Sequence, residues 1–284
     1  MYIPDLIQKH GLRRGLSHQT IRTYSFCIRK FFLACNKDDP KKINKKDITN
    51  YIDSLVHKGY SGSTLNTNLN ALRLLYNEIL HKRLLVNFRF SRAPKRLPVY
   101  LTQSEVLSLL SALKNKKHKL MIMLLYSAGL RVSELLNLKK SDFDNGLAYG
   151  WVRSGKGNKD RPFIIANSIK NELNSCLSEN CRHSHSYLFA NQKGFQMSRS
   201  TIFAVLKEAA KKAGIEKKVH PHTLRHSFAT HLIENKSDII QVQSLLGHAS
   251  VRTTMVYLHS ANPNLFCVRS PLDVIMEKNV AGSV

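Results

Sequence analysis

Two prolines within five residues, Pro94 and Pro98, break into the basic run of Arg92, Lys95 and Arg96. Proline lacks the N–H that a helix or inner strand requires, and its ring clashes with the preceding turn, so no regular element crosses this stretch. It parts the chain into two pieces with different patterning. On the N-terminal side, Ile21, Tyr24, Ile28, Phe31 and Cys35 step by three and four residues behind Ser17, the period of one helical face with a capping hydroxyl before it. Ile48, Ile52 and Leu55 repeat that spacing after Asp47, as do Leu65, Leu69, Leu72, Tyr76 and Ile79 after Ser63. No alternating strand pattern precedes residue 90. The expectation is an all-helical bundle over residues 1–93 with basic outer faces, followed by a basic linker at 94–100.

A new start signal follows the linker, because Thr102-x-x-Glu105 forms a capping box ahead of Val106, Leu109, Leu110 and Leu113. A long apolar helix ends near Gly129. Residues 148–154 and 161–166 then read as strands joined by the turn Gly155, Lys156, Gly157, Asn158, a hairpin with a lysine at its tip. Helical patterns return at 168–179, 199–213, 222–235, 238–246 and 250–258. The fold class expected is therefore mainly α with a small antiparallel β-sheet, the second domain spanning 101–268 and a tail 269–284.

A length of 284 residues is enough for two cores. Charge narrows the partners. The chain carries +25, made of 19 basic and 6 acidic residues up to position 100 and 25 and 13 beyond it. A positive excess in both parts suits two-sided contact with a polyanion such as DNA better than a globule with a basic tail. The longest apolar run, Leu120 to Leu130, is broken by Tyr126, Ser127 and Gly129 and falls short of the ~20 residues of a membrane span. The opening MYIPDLIQKH lacks the apolar core of a secretory signal. A cytoplasmic protein without membrane contact is expected. Cys27, Cys35, Cys176, Cys181 and Cys267 are odd in number and irregular in spacing, as reduced thiols would be.

Three local patterns carry chemistry. In His220-Pro221-His222-Thr223-Leu224-Arg225-His226-Ser227-Phe228-Ala229-Thr230-His231-Leu232, a proline suits the first helical turn and places His222 and Arg225 on one face. In Ala128-Gly129-Leu130-Arg131, a glycine closes one helix, and Arg131 and Glu134 open the next one turn apart. Gly247-His248 ends a helix, with Tyr257 nine residues after the histidine. Arg131, Lys156, His222, Arg225, His248 and Tyr257 together suit displacement at a phosphodiester. Planar guanidinium groups match the non-bridging oxygens on which charge collects, a role for Arg131 and Arg225. A phenol with a pKa of about 10 needs a neighbouring proton acceptor or a strongly positive site before it attacks. His222 is the expected acceptor, with His248 bonding the phosphate or the phenol. The leaving 5′-oxygen needs a proton, and Lys156 at the hairpin tip is placed to give it, with Lys159 as the weaker alternative.

The stretches AGLRVSELLNL, GKGNKDR, HPHTLRHSFATHL and LGHASVRTTMVYLH, with SPLD at 270–273, resemble the tyrosine recombinase (integrase) family and its Xer branch along nearly the whole chain. The resemblance implies a SAM-like core-binding domain and a catalytic domain closing as a C-shaped clamp on a double-stranded DNA site. It implies a 3′-phosphotyrosyl link on Tyr257, activated by Arg131, Lys156, His222, Arg225 and His248, with Glu134 in support. It also implies that the tail docks in trans on a neighbouring subunit, giving a tetramer on DNA. Site-specific recombination is the function expected, serving resolution of chromosome or plasmid dimers. A mobile-element integrase and a type IB topoisomerase share the chemistry, and a non-catalytic DNA-binding module would need neither Tyr257 nor Lys156. A second recombinase or an accessory DNA translocase remain open as further partners.

Two decoys fail on chemistry. Gly150-x4-Gly155-Lys156 looks like a phosphate-binding loop, but Gly157 replaces the hydroxyl residue that would hold magnesium, and a strand follows instead of a helix. Cys176, Cys181, His183 and His185 offer zinc donors at spacings of four and one intervening residues, which zinc sites do not favour. No metal or nucleotide cofactor is expected, since a phosphotyrosyl ester itself conserves the energy of the cut bond.

Overall fold

The structure, a computed structural model, describes residues 3–82, 98–144, 146–153, 160–179, 187–191, 193–248 and 250–258. The hairpin tip with Lys156 and Lys159, most of the linker, Cys181, His183, His185, Cys267 and the tail 269–284 lie outside them. The chain divides into two compact units, Met1–Arg96 and Leu97–Val284.

The first unit is helical: α1 (Ile3–Arg13), α2 (His18–Cys35), α3 (Lys45–His57) and α4 (Gly62–Arg73), the last continuing into a wider π turn at Leu74–Ile79. Ser17 caps α2, its hydroxyl accepting from the backbone N–H of Thr20 at 3.1 Å. The next two helices begin earlier than their apolar spacing suggested. Asn44 caps α3 in a box with Asp47, and Ser61 caps α4. α1 had no counterpart in the sequence reading, because Pro4 and Gly11 weaken its pattern. Gly11 lies at the crossing with α2, where a Cβ would stand 2.7 Å from Ile21. Ile7, Ile28, Phe31, Ile48, Leu55, Leu72, Leu75 and Tyr76 form the core, and edge-on aromatic contacts join Phe31 to Tyr51 and Tyr76. Burying each such side chain contributes about 1.5–3 kcal/mol.

The second unit opens with α5 (Gln103–Ser111), whose capping box at Thr102 and Glu105 is fully formed, and α6 (Lys116–Ser127). Then come α7 (Val132–Asn137), β1 (Tyr149–Val152), β2 (Arg161–Ile164), α8 (Lys170–Glu179), α9 (Arg199–Lys212), α10 (Pro221–Glu234), α11 (Ile239–Leu246) and α12 (Val251–Leu258). The strands pair antiparallel with Tyr149 opposite Ile164 and Val152 opposite Arg161. Side chains alternate across the pleat, so Phe163 and Arg161 point inward. A Cβ on Gly150 would stand 2.4 Å from the Phe163 ring, so only glycine fits at that place in β1. The main core gathers Leu109, Leu120, Leu125, Leu130, Leu135, Phe163, Leu206 and Leu224. A second, smaller apolar cluster of Phe228, Ala229, Val242, Leu246 and Tyr257 joins α10, α11 and α12. No helix among the described residues is long and apolar enough to cross a membrane.

Candidate active site

α10 begins with His220 as cap, its Nδ1 accepting from the Thr223 N–H at 3.2 Å, and with Pro221 in the first turn. That start puts His222, Arg225 and His226 on adjoining positions of one face. Arg225 is buried and donates to two backbone carbonyls, that of Gly129 at 2.5 Å and that of Leu246. Both carbonyls lie at helix C-terminal ends, where oxygens lack intrahelical partners and the helix dipole favours a cation. Arg225 thus ties the ends of α6 and α11 to α10.

Arg131 is the cap residue of α7, and Glu134 answers it by accepting from the Arg131 backbone N–H at 2.8 Å and from its guanidinium at 2.6 Å. Glu134 also accepts from Arg161 of β2 at 2.8 Å and lies 3.7 Å from Arg225. Burial alone would push the Glu134 carboxyl up, but Arg161 and Arg131 more than offset it and hold it below the usual carboxylate range. Burial, with Arg131 next, brings Arg225 down to about 9, so it stays charged at neutral pH.

Arg161 also donates to the Leu245 carbonyl. Its side chain lies under Gly247, which ends α11 at φ +60°, and a Cβ there would stand 2.5 Å from the Arg161 Cδ. Two bonds shape the turn beyond it: the His248 N–H donates to the Gln243 carbonyl at 3.2 Å, and the Gln243 amide donates to the His248 carbonyl at 3.0 Å. His248 then stacks on Tyr257, ring centroids 6.2 Å apart and planes within 16°, while its Nδ1 bonds the Thr254 hydroxyl at 2.9 Å.

Tyr257 is only 3% exposed. Burial pushes its phenol above the usual range, with Arg225 and Arg131 pulling the other way. Its hydroxyl bonds Nδ1 of His226 at 3.0 Å. Burial and adjacent cationic groups hold His222 below its ordinary value and bring His226 and His248 down to about 4, so these rings are neutral at pH 7.

Five of the six residues expected from sequence, Arg131, His222, Arg225, His248 and Tyr257, therefore meet where α7, α10, α11 and α12 converge, and Lys156 lies outside the described residues. Two residues of the site were given no role from the sequence. His226 sits one turn beyond His222, a spacing that could have drawn notice. Arg161 reads as the first residue of a strand, and nothing local announces a carboxylate partner 27 positions away.

Such a site offers guanidinium groups for an oxyanion, neutral histidines and a phenol, the apparatus of phosphoryl transfer to tyrosine. Sequence comparison gives the class. The profile of the phage integrase family matches residues 99–263, and that of its N-terminal SAM-like domain matches residues 6–85. The chain belongs to the phage integrase family and is a site-specific tyrosine recombinase, an enzyme that cuts and rejoins DNA. Among its relatives, tyrosine recombinase XerD of Halalkalibacterium halodurans is 35% identical over 87% of this chain and 89% of its own length. Tyrosine recombinase XerA of Pyrococcus furiosus is 38% identical over 86% of this chain and 84% of its own. In three dimensions the chain resembles XerH site-specific recombinase bound to palindromic difH substrate in a post-cleavage complex, with a TM-score of 0.69, 26% identity, and 89% of this chain and 79% of that one covered.

Proposed function

We propose that the chain recombines two copies of a double-stranded DNA site through a 3′-phosphotyrosyl link on Tyr257, acting in the cytoplasm to resolve chromosome or plasmid dimers. The observation that carries this reading is a buried tyrosine within the electrostatic reach of two arginines that share one carboxylate. Arg131 and Arg225 bind the non-bridging oxygens of the scissile phosphate, and His222 and His248 add hydrogen bonds to it. Lys156 gives the departing 5′-oxygen its proton. DNA as partner is supported by the net charge of +25 and by the DNA-bound state of the similar XerH. Residues 1–93 form the core-binding domain and 101–268 the catalytic domain. The tail 269–284 docks on a neighbouring subunit and builds a tetramer.

The test is to incubate the protein with genomic DNA of its host, trap covalent protein–DNA adducts and sequence the DNA they hold. One recurring site should emerge. Tyr257→Phe should bind that site and form no adduct, because the ring packing survives while the attacking oxygen is gone. An adduct from Tyr257→Phe would reject the nucleophile. Lys156→Ala should be slowed about 10²–10⁴-fold on ordinary DNA but recover when sulfur replaces the 5′-oxygen, since thiolate leaves without a proton. Failure of sulfur to rescue it would remove Lys156 from the donor role.

A further inference from the structure

Four histidines lie along this site, and their ring nitrogens have different tasks. Nδ1 of His220 accepts from the N-terminal turn of α10, and Nδ1 of His248 bonds Thr254. The His222 ring lies 6.5 Å, centroid to centroid, from that of His226. Among the described residues, the hydrogen-bond partner of the Tyr257 hydroxyl is His226, with ring centroids 5.5 Å apart. α10 and α12 pack against each other here, so the contact is between two helices held by a common core and not between free side chains.

We infer that His226, in place of His222 as expected from sequence, is a further catalytic residue, taking the phenolic proton of Tyr257 onto Nδ1 as the tyrosine oxygen attacks phosphorus and returning it when the strand is rejoined. This rests on Tyr257 as the nucleophile. In cleavage the phenol O–H breaks, its proton passes to Nδ1, the O–P bond to tyrosine forms, and the bond from phosphorus to the 5′-oxygen breaks as that oxygen takes a proton from Lys156, its proposed donor. Rejoining reverses each change. The proton on Nδ1 returns to the departing phenolate, so His226 ends each cycle neutral.

The groups that face His226 are His220, the cap of α10, His222 and Arg225 on that helix, Tyr257 on α12 and His248 in the turn before it. Burial and the first three keep the ring neutral, free to accept. Weak basicity is no obstacle. The attacking oxygen changes from a weak acid to a very strong one as its bond to phosphorus forms, and a base whose pKa falls between those limits accepts the proton partway through. The negative phosphate also offsets the arginines nearby and raises the basicity of the ring when DNA is bound.

The experiment uses the full chain and a nicked duplex of the site recovered by adduct sequencing. His226→Asn places an amide oxygen near the position of Nδ1, which keeps a hydrogen bond but cannot hold the proton. Its adduct should form about 10²–10⁴-fold more slowly with DNA affinity unchanged. A tyrosine with fluorinated ring carbons at position 257, acidic enough to ionise near neutral pH, needs no base. With it the defect of His226→Asn should shrink below about tenfold. His226→Gln, which preserves ring-like volume, should behave in the same way and guards against a folding defect peculiar to Asn. Cleavage at the unmodified rate by His226→Asn, or a defect that fluorination leaves unchanged, would overturn the inference. Loss of DNA binding by both variants would mark His226 as packing and overturn it too. Failure of fluorotyrosine to form an adduct in the otherwise unchanged chain would instead strike at Tyr257 itself.

Discussion

Three guanidinium groups lie within ion-pair distance of Glu134: Arg131 at 2.6 Å, Arg161 at 2.8 Å and Arg225 at 3.7 Å. The carboxylate offsets part of the repulsion among cations that a phosphate would otherwise have to overcome, and it fixes where Arg131 and Arg161 point. Glu134→Gln keeps the shape and removes the charge. Because breaking a buried ion pair from one side leaves uncompensated charge, it should cost about 3 kcal/mol, read as a shift of the urea midpoint of the second unit. Little change would mean that solvent compensates these arginines. At this scale the sequence offered Arg131, His222, Arg225, His248 and Tyr257 as expectations, and helical spacing accounts for only one pairing among them, the shared face of His222 and Arg225 on α10. It did not show Arg161 or His226 as members of the site. Their partners, Glu134 and Tyr257, are brought near by tertiary packing and leave no local pattern.

Among elements, the turn between α11 and α12 decides where His248 lies. Gly247 there has φ +60°, a backbone conformation that costs other residues about 1–2 kcal/mol, and its missing Cβ makes room for Arg161. That arginine has little freedom to withdraw, since it is bonded to Glu134 and to the Leu245 carbonyl. Gly247→Ala should therefore destabilise the unit by about 2 kcal/mol or more and slow adduct formation, as strain and steric conflict act together. Adduct kinetics alongside thermal melting would check both effects. Most elements were legible: the capping box of α5, the start of α10 at Pro221 and the two strands follow from residue types acting within a turn or a pleat. α1 was not, for its Gly11 weakens the helical pattern to allow a neighbour's approach, and the π turn at Leu74–Ile79 has no distinct side-chain period.

For the whole molecule, charge is the property spread most evenly, with net +13 up to residue 100 and +12 beyond. If both units meet phosphates, six to ten contacts would form and release as many counterions. Affinity should then fall by about 10³–10⁵ between 50 and 200 mM salt, measured by anisotropy on a labelled duplex. A shallow slope would confine DNA contact to one unit. Pro94 and Pro98 mark a break in the sequence pattern because proline acts locally, whereas the closure of each core depends on contacts between distant residues. Arg225 shows what such closure entails over longer times. It bonds the carbonyls of Gly129 and Leu246, so its positive charge holds three helices together whether or not DNA is present. If Tyr257 is the nucleophile, as proposed, a lineage that ceased to recombine DNA would be free to lose it early, whereas shedding Arg225 would leave the Gly129 and Leu246 carbonyls without this donor and destabilise the unit. Inactive descendants should keep this arginine long after the nucleophile has drifted away.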